Sequence, residues 1–220
     1  MKYGLISEKL LLLTKLGDRR LITRDELKEY CKKLKVSYYS VINYLLNYKY
    51  VTRILRGIFY INDLDERKKK TSNISFYKAI SEALKIKGIK NWYFGLETAI
   101  KLNNLTHEYF AIDYILSDKI KRPKPIEILG HKVHFIKIKK KLTEFGIKNN
   151  EISYSDIEKT LLDIIYLGVY NGLSDSDIKN KIVDYTDKCN RNKVMEYSKN
   201  YPKSVLRVYN DTKRNNWICF

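Results

Sequence analysis

Asn43 offers the most specific chemistry in this sequence. A carboxamide presents a donor and an acceptor side by side, the pair that reads an adenine edge and contributes about 1–3 kcal/mol of discrimination. Tyr38, Tyr39 and Ser40 stand just ahead of it with hydroxyls, and Arg53 and Arg56 follow at the tip of what reads as a hairpin. An arginine in that position can enter a narrow, A·T-rich minor groove. Lys35 and Ser37 precede Tyr38, where the free N–H groups of a helix start and the helix dipole favour a phosphate. Together these eight residues imply a double-stranded DNA partner. The competing reading is a protein-interaction module whose polar face is merely solvated, because a fold never fixes a function by itself.

Residues that could do catalysis are weaker. Asp113 and Glu127 fall on successive predicted strands, as metal-binding carboxylates do in one large nuclease class, but Leu129 stands where that class requires a lysine. Gly172-Leu173-Ser174-Asp175-Ser176-Asp177 has the glycine, serine and aspartates of a nucleotidyltransferase. Ser174 and Asp177 have the spacing of a helix N-cap and its third residue, which accounts for both without catalysis. His131 and His134 are three apart on a hairpin and point to opposite faces, and His107 is isolated, so no metal site is expected. No phosphate-binding glycine loop, nucleophile elbow or dinucleotide turn occurs. The expectation is a protein that is not an enzyme and uses no cofactor. Lys119, Lys121, Arg122 and Lys124, with Lys137, Lys139, Lys140 and Lys141, could form one basic surface, either solvated or touching nucleic acid or an acidic protein.

The elements that must position these residues can be read from caps and periodicity. Thr23 with Glu26 has the spacing of a capping box, opening a helix over Arg24–Leu34 with Leu27, Cys31 and Leu34 on one face. After a break at Lys35-Val36, Ser37 is the predicted N-cap of Tyr38–Asn47, whose inward side is Val41, Ile42, Leu45 and Leu46. Val51–Ile54 and Ile58–Ile61 flank a turn at Leu55-Arg56-Gly57. Helix, short turn, helix and hairpin in that order predict a winged helix-turn-helix over residues 1–66, with an amphipathic helix Leu5–Leu16 beneath it and Gly17-Asp18 closing that helix. Residues 62–70 are a charge run read as a solvated linker.

A second domain over residues 71–220 follows, with helices at Ser75–Ile86 and Phe94–Leu102 and a central strand at Tyr109–Leu116. A hairpin joins Ile126–Leu129 to Lys132–Ile138 through Gly130-His131, and a short strand is read at Thr143–Ile147. Ser155 and Ser174 are predicted to cap helices Asp156–Leu167 and Asp175–Tyr185, and Asn192–Asn210 is helical with a break at Pro202, before a polar tail with Trp217 and Phe220. The predicted fold class is α+β: a winged helix-turn-helix domain, then a helix-flanked antiparallel or mixed sheet.

With 44% hydrophobic residues over 220, the chain can fill a core and is not disordered. Its formal charge of +18 invites a polyanion, but residues 1–66 carry a net +5 and the remainder +13, nearly equal per residue, so bulk charge does not locate a site. Cys31, Cys189 and Cys219 are odd in number and widely spaced, which argues against a disulfide framework or a zinc ribbon. No secretory signal and no membrane-spanning run is read, and a cytoplasmic location is the default.

The whole resembles the antitoxins of AbiE-type (type IV) toxin–antitoxin systems, also described as predicted transcriptional regulators, from about Ile22 to about Tyr209. The residues that carry the likeness are the wing end Arg56-Gly57-Ile58-Phe59-Tyr60-Ile61, Thr98-Ala99 within Phe94–Ile100, and Ile157-Glu158-Lys159-Thr160-Leu161-Leu162-Asp163. The last is similar to that family's Glu-Arg-Thr-Leu-x-Asp, with Lys159 in place of the arginine. Asn103-Asn104-Leu105-Thr106 stands where the family often has His-Gly-Leu, and Gly172-Leu173 fits its glycine-rich loop in part. The resemblance implies a protein that binds inverted repeats in its own promoter and counteracts a nucleotidyltransferase toxin through its C-terminal part; either a monomer or a homodimer is expected. It leaves Glu158 and Asp163 as capping or core-facing polar groups, or as a reactive site. A winged-helix transcription factor whose second domain senses a ligand or dimerises, with no toxin partner, is the alternative.

Overall fold

The computed structural model describes Gly4 and residues 6–9, 20–69, 71–149 and 151–216. Most of the helix expected over Leu5–Leu16 lies outside these residues, as do Gly17-Asp18, Trp217, Cys219 and Phe220; residues 6–9 are helical and Ile6 is buried. The fold is mixed α+β, and its contacts divide into two units, residues 1–89 with 127–131 and residues 90–126 with 132–220.

In the first unit, β1 (Leu21–Thr23) leads into α1 (Arg24–Lys33). The Thr23 hydroxyl accepts from the Glu26 N–H, and the Glu26 carboxylate accepts from the Thr23 N–H, so the capping box is complete. A turn leads to α2 (Tyr38–Asn47), which buries Val41, Ile42 and Leu45. β2 (Val51–Leu55) and β3 (Ile58–Ile61) then form an antiparallel hairpin whose tip uses Gly57 at φ +80, a conformation that suits a residue without Cβ. β1 pairs with the other side of β3, giving the order β1-β3-β2. A three-residue strand has no readable period, which is why sequence reasoning missed it. Leu27, Cys31, Val41, Leu45, Val51 and Phe59 form the core between helices and sheet.

Residues 62–69 are not the solvated linker that the charge of 62–70 suggests, and residue 70 lies outside the described residues. Asp63 and Glu66 make a second capping box at the start of α3 (Leu64–Lys69): the Glu66 N–H donates to Asp63 at 2.9 Å and the Asp63 N–H donates to Glu66 at 2.8 Å. The Glu66 carboxylate is buried and also accepts from the Tyr60 hydroxyl at 2.7 Å, the Arg20 guanidinium at 3.2 Å and the Asn73 N–H. Asn62, also buried, donates to the Lys49 carbonyl and to Thr52. A buried carboxylate is tolerated only with such donors around it. α4 (Phe76–Ile86) packs against β2 in this same unit.

The second unit is built on a mixed sheet of order β7-β5-β4-β9-β8. The strands after α4 are β4 (Trp92–Phe94), β5 (Asp113–Ser117), β6 (Ile126–Ile128, whose residues 127 and 128 group with the first unit), β7 (His131–Lys137), β8 (Ile147–Asn149) and β9 (Ser153–Ser155). β4 is antiparallel to β5, and β5 is parallel to β7 with Asp113 opposite Val133. Phe94 ends a strand rather than starting a helix; α5 (Leu96–Leu102) begins after Gly95, where a Cβ would come within 2.8 Å of Leu116. The strand expected at Thr143–Ile147 is replaced by a 3-10 turn, Lys140–Thr143, followed by β8.

α6 (Ile157–Tyr170) is the axis of this unit, touched by α5 and by α7 (Asp175–Thr186), α8 (Arg191–Ser198) and α9 (Lys203–Asn216). Its N-cap is Asp156, not the expected Ser155: Asp156 accepts the Lys159 N–H at 2.9 Å, while buried Ser155 bonds the Thr160 hydroxyl. Ser174 caps α7 as its sequence suggests. Among the described residues no helix is long and apolar enough to cross a membrane.

Two outcomes test the Glu66 knot. Glu66→Ala leaves the Tyr60 hydroxyl and two backbone N–H groups without their acceptor and should cost about 3 kcal/mol in urea unfolding, against the roughly ±0.5 kcal/mol of a solvated linker. The Tyr60 phenol is pushed up to about 12 by burial and then by its bond to Glu66, with Arg20 partly opposing. A raised phenol stabilises the fold fully below the ordinary value of 10.0 and loses that contribution as pH climbs through about 12. Tyr60→Phe should therefore flatten the loss of stability in that alkaline window.

Candidate nucleic-acid interface

All eight residues singled out for DNA lie in the first unit, and all are exposed except Tyr38, which is half-buried. On α2, Tyr39, Ser40 and Asn43 face away from Val41, Ile42 and Leu45, so the helix has one anchored side and one polar side. Tyr39 is 76% exposed.

The turn before α2 is a helix-ending motif built on Lys35. The Val36 N–H donates to the Cys31 carbonyl at 3.0 Å, the Lys35 N–H donates to the Lys32 carbonyl at 3.2 Å, and Lys35 takes φ 53. This left-handed position normally belongs to glycine, and a side chain there costs about 1–2 kcal/mol. Ser37 holds the N-cap position of α2, but its hydroxyl makes no capping bond, which corrects the expectation of a side-chain cap. The first turn of α2 is thus uncapped, beside Lys35, in contrast to α1.

The hairpin comes to the same face. Arg53 sits opposite Phe59 on β2 with its guanidinium 5.9 Å from that ring, and a bulge follows it. Burial pushes the Tyr38 phenol up from its ordinary value, and the nearby Arg24 and Arg53 charges pull it part of the way back. Lys28 Nζ lies 5.8 Å from the Tyr38 ring, and the Tyr39 ring is 5.6 Å away, edge-on. Lys28 therefore stands at Tyr38, while Arg53 and Arg24, the latter paired with Asp25 at 3.5 Å, act on it electrostatically. Sequence reasoning missed Arg24 and Lys28. A cation in the first turn of α1, where the dipole disfavours it, was the available signal for Arg24.

Arg56 stands at the hairpin tip. Its carbonyl accepts from Lys87 at 2.9 Å, and the Gly57 carbonyl accepts from the Arg24 N–H at 2.8 Å, which ties the tip to the start of α1. The Arg56 side chain makes no ion pair or hydrogen bond among the described residues. The arrangement can present hydrogen-bonding groups from one helix face with cations on either flank.

Several of the other candidates have structural partners. Thr98 donates to Asp113, and the His131 ring stacks on Phe76 at 4.1 Å. His134 Nε2 lies 3.1 Å from the Arg122 carbonyl. Among the described residues no group of three or more His, Cys, Asp or Glu side chains could hold a metal. Glu158 is buried and accepts the N–H of Asn190 at 2.9 Å, while the Asn190 side chain caps α8. Asp163 lies wholly inside the second unit and accepts from Tyr93 and Tyr201, each at 2.7 Å. Lys159, equally buried, is 3.3 Å from Asp163 and is ringed by Tyr93, Phe145 and Tyr201. Burial pulls the Lys159 amine below its ordinary value, with Asp163 opposing.

No family model matches the chain, and no curated protein matches it. Among solved structures, the chain is similar to the RV2827C protein from Mycobacterium tuberculosis. That likeness has a TM-score of 0.62 at 11% sequence identity and covers 96% of this chain and 75% of that one. It is a likeness of fold.

The buried pair has an asymmetry that denaturation can read. Removing Lys159 leaves Asp163 with two tyrosine donors, whereas removing Asp163 leaves the ammonium among aromatic rings with the Tyr201 hydroxyl, at 3.2 Å, as its acceptor. Asp163→Ala should cost about 4 kcal/mol, the scale for orphaning a buried charge, and Lys159→Met about 2 kcal/mol less. Equal losses would mean that the tyrosines do not hold the carboxylate.

Proposed function

We propose that the chain is a DNA-binding transcriptional autorepressor and the antitoxin of an AbiE-type toxin–antitoxin pair, acting in the cytoplasm without enzymatic activity. In this reading residues 21–61 are a winged helix-turn-helix, with α2 lying in the major groove and the β2–β3 hairpin as the wing. The observation that carries it is the exposed Tyr39, Ser40 and Asn43 face of α2 beside Lys28 at Tyr38 and the Arg24 and Arg53 charges that act on that phenol. Asn43 reads a base, the cations and the uncapped first turn hold phosphates, and Arg53 or Arg56 reaches the neighbouring groove. An inverted-repeat operator would then be met by two copies of the chain.

The antitoxin half rests on the resemblance of residues 22–209 and of the Ile157–Asp163 stretch, whose Glu158, Lys159 and Asp163 sit in the core of the second unit. Its partner would be a nucleotidyltransferase toxin, antagonised by the second unit.

Mobility shifts on the upstream DNA of the gene test the first half. Asn43→Ala should lower the preference for operator over random duplex by about 1–3 kcal/mol, while Arg53→Ala and Arg56→Ala weaken binding to both and reduce the salt slope by roughly one each. Unchanged affinity and preference in all three variants would refute the reading. Lys35→Gly relieves the left-handed lysine, so stability should hold or rise by up to about 1 kcal/mol while DNA affinity falls. Co-expression with the neighbouring gene product, from an unrelated promoter, tests the second half. Full-length chain and its Asn43→Ala variant should both relieve toxicity, and failure of both would leave only the repressor.

A further inference from the structure

We propose that the second unit carries a groove for unpaired nucleic acid, formed by the 118–125 loop, β7 and the C-terminal end of α6. The cavity there measures about 1000 Å³. Lys119, Lys121 and Arg122 line it from the loop, and Lys137, Lys139 and Lys140 from the end of β7 and the turn that follows. Tyr166 and Tyr170 line it from α6.

The loop is braced. The Ser117 hydroxyl accepts the N–H groups of Lys119 and Ile120 at 3.0 and 3.1 Å, and the Arg122 N–H donates to the Phe135 carbonyl at 3.0 Å. Its backbone, and with it the roots of these cations, therefore holds one course along β7. Among the described residues only Lys140 of these six has a carboxylate within reach, Glu144 at 3.9 Å. Asp118 is the one carboxylate in the lining, and the Asn91 amide donates to it at 2.8 Å. Cations gathered without partners repel one another and gain from a polyanion that displaces their counterions.

The tyrosines decide which polyanion. Tyr170 is 77% exposed, and its ring centroid is 6.4 Å from that of Tyr166. An open ring beside backbone-holding cations is the pairing that stacks a base while its phosphates are neutralised. A duplex keeps its base faces inside its own stack and would gain nothing from Tyr170. An acidic peptide would use the cations but has no planar face to offer. The groove lies wholly within residues 90–126 and 132–220, so it stands independently of the winged-helix reading.

Fluorescence anisotropy of the full-length chain at physiological salt tests this with labelled oligo(U), oligo(dU), a duplex of equal length and a polyglutamate peptide. Tyr170→Ala should weaken single-strand binding about tenfold, within the roughly 5- to 150-fold that stacking one base supplies, with duplex binding unchanged and Tyr170→Phe restoring affinity. The Lys121→Ala/Arg122→Ala variant should weaken single strands and lower their salt slope by about 1.4. A preference between oligo(U) and oligo(dU), which differ only in the 2′-hydroxyl, identifies RNA or DNA as the natural strand. The proposal fails if Tyr170→Ala leaves single-strand affinity within twofold or weakens duplex equally. It also fails if polyglutamate binds as tightly as the single strands.

Discussion

A ten-residue helix in water is marginal, and α2 has neither a side-chain cap nor basic residues in its last turn. What holds it is burial of one side. Val41, Ile42 and Leu45 are each at most 6% exposed, and at about 1.5–3 kcal/mol per side chain they contribute roughly 5–9 kcal/mol, an upper estimate. That is enough to offset the left-handed lysines that bound the helix, Lys35 at φ 53 and Lys49 at φ 55, at about 1–2 kcal/mol each. The margin frees the opposite side from any structural duty. Tyr39, Ser40 and Asn43 make no contribution to the core, so their chemistry is available to a partner.

In each unit a buried carboxylate organises its surroundings through tyrosine. Glu66 joins β3, α3 and Arg20 ahead of β1, and Asp163 joins α6 to Tyr93 on β4 and Tyr201 ahead of α9. The two differ in their cation. Arg20 stays partly in solvent, so its attraction for Glu66 is screened and the tyrosine and backbone donors matter more. Lys159 is fully buried, and its ammonium lacks the five fixed donors of a guanidinium. The rings of Tyr93, Phe145 and Tyr201 within 4.6 to 5.7 Å supply the remaining stabilisation that those donors would have given.

Caps and faces were legible where one local signal stood alone. Thr23 with Glu26, Ser174 with Asp177, and the buried stripe of α2 are examples. Signals failed where two overlapped. The Asp63-x-x-Glu66 box was hidden in a charge run, and at Ser155-Asp156 two capping residues stood side by side, the second taking the helix. The strands β1, β4, β8 and β9 have three residues each, too few for alternation to appear. Arg24 and Lys28 act on Tyr38 only through the packing of α1 on α2, which no spacing along the chain reports.

Charge distribution, rather than total charge, separates the two candidate surfaces. Several cations are already committed: Lys33 to Glu29, Arg24 to Asp25, Arg20 to Glu66 and Asp63, and Arg207 to Asp175. What remains around Tyr38 accompanies an amide and hydroxyls on a helix narrow enough for a groove, a combination that meets base edges while the bases stay paired. What remains along β7 accompanies an open tyrosine ring on a concave wall, a combination that meets base faces, which only an unpaired strand exposes. On the two proposed readings the same positive field would draw a polyanion to both. The geometry of the uncharged groups would then decide between a duplex and a single strand.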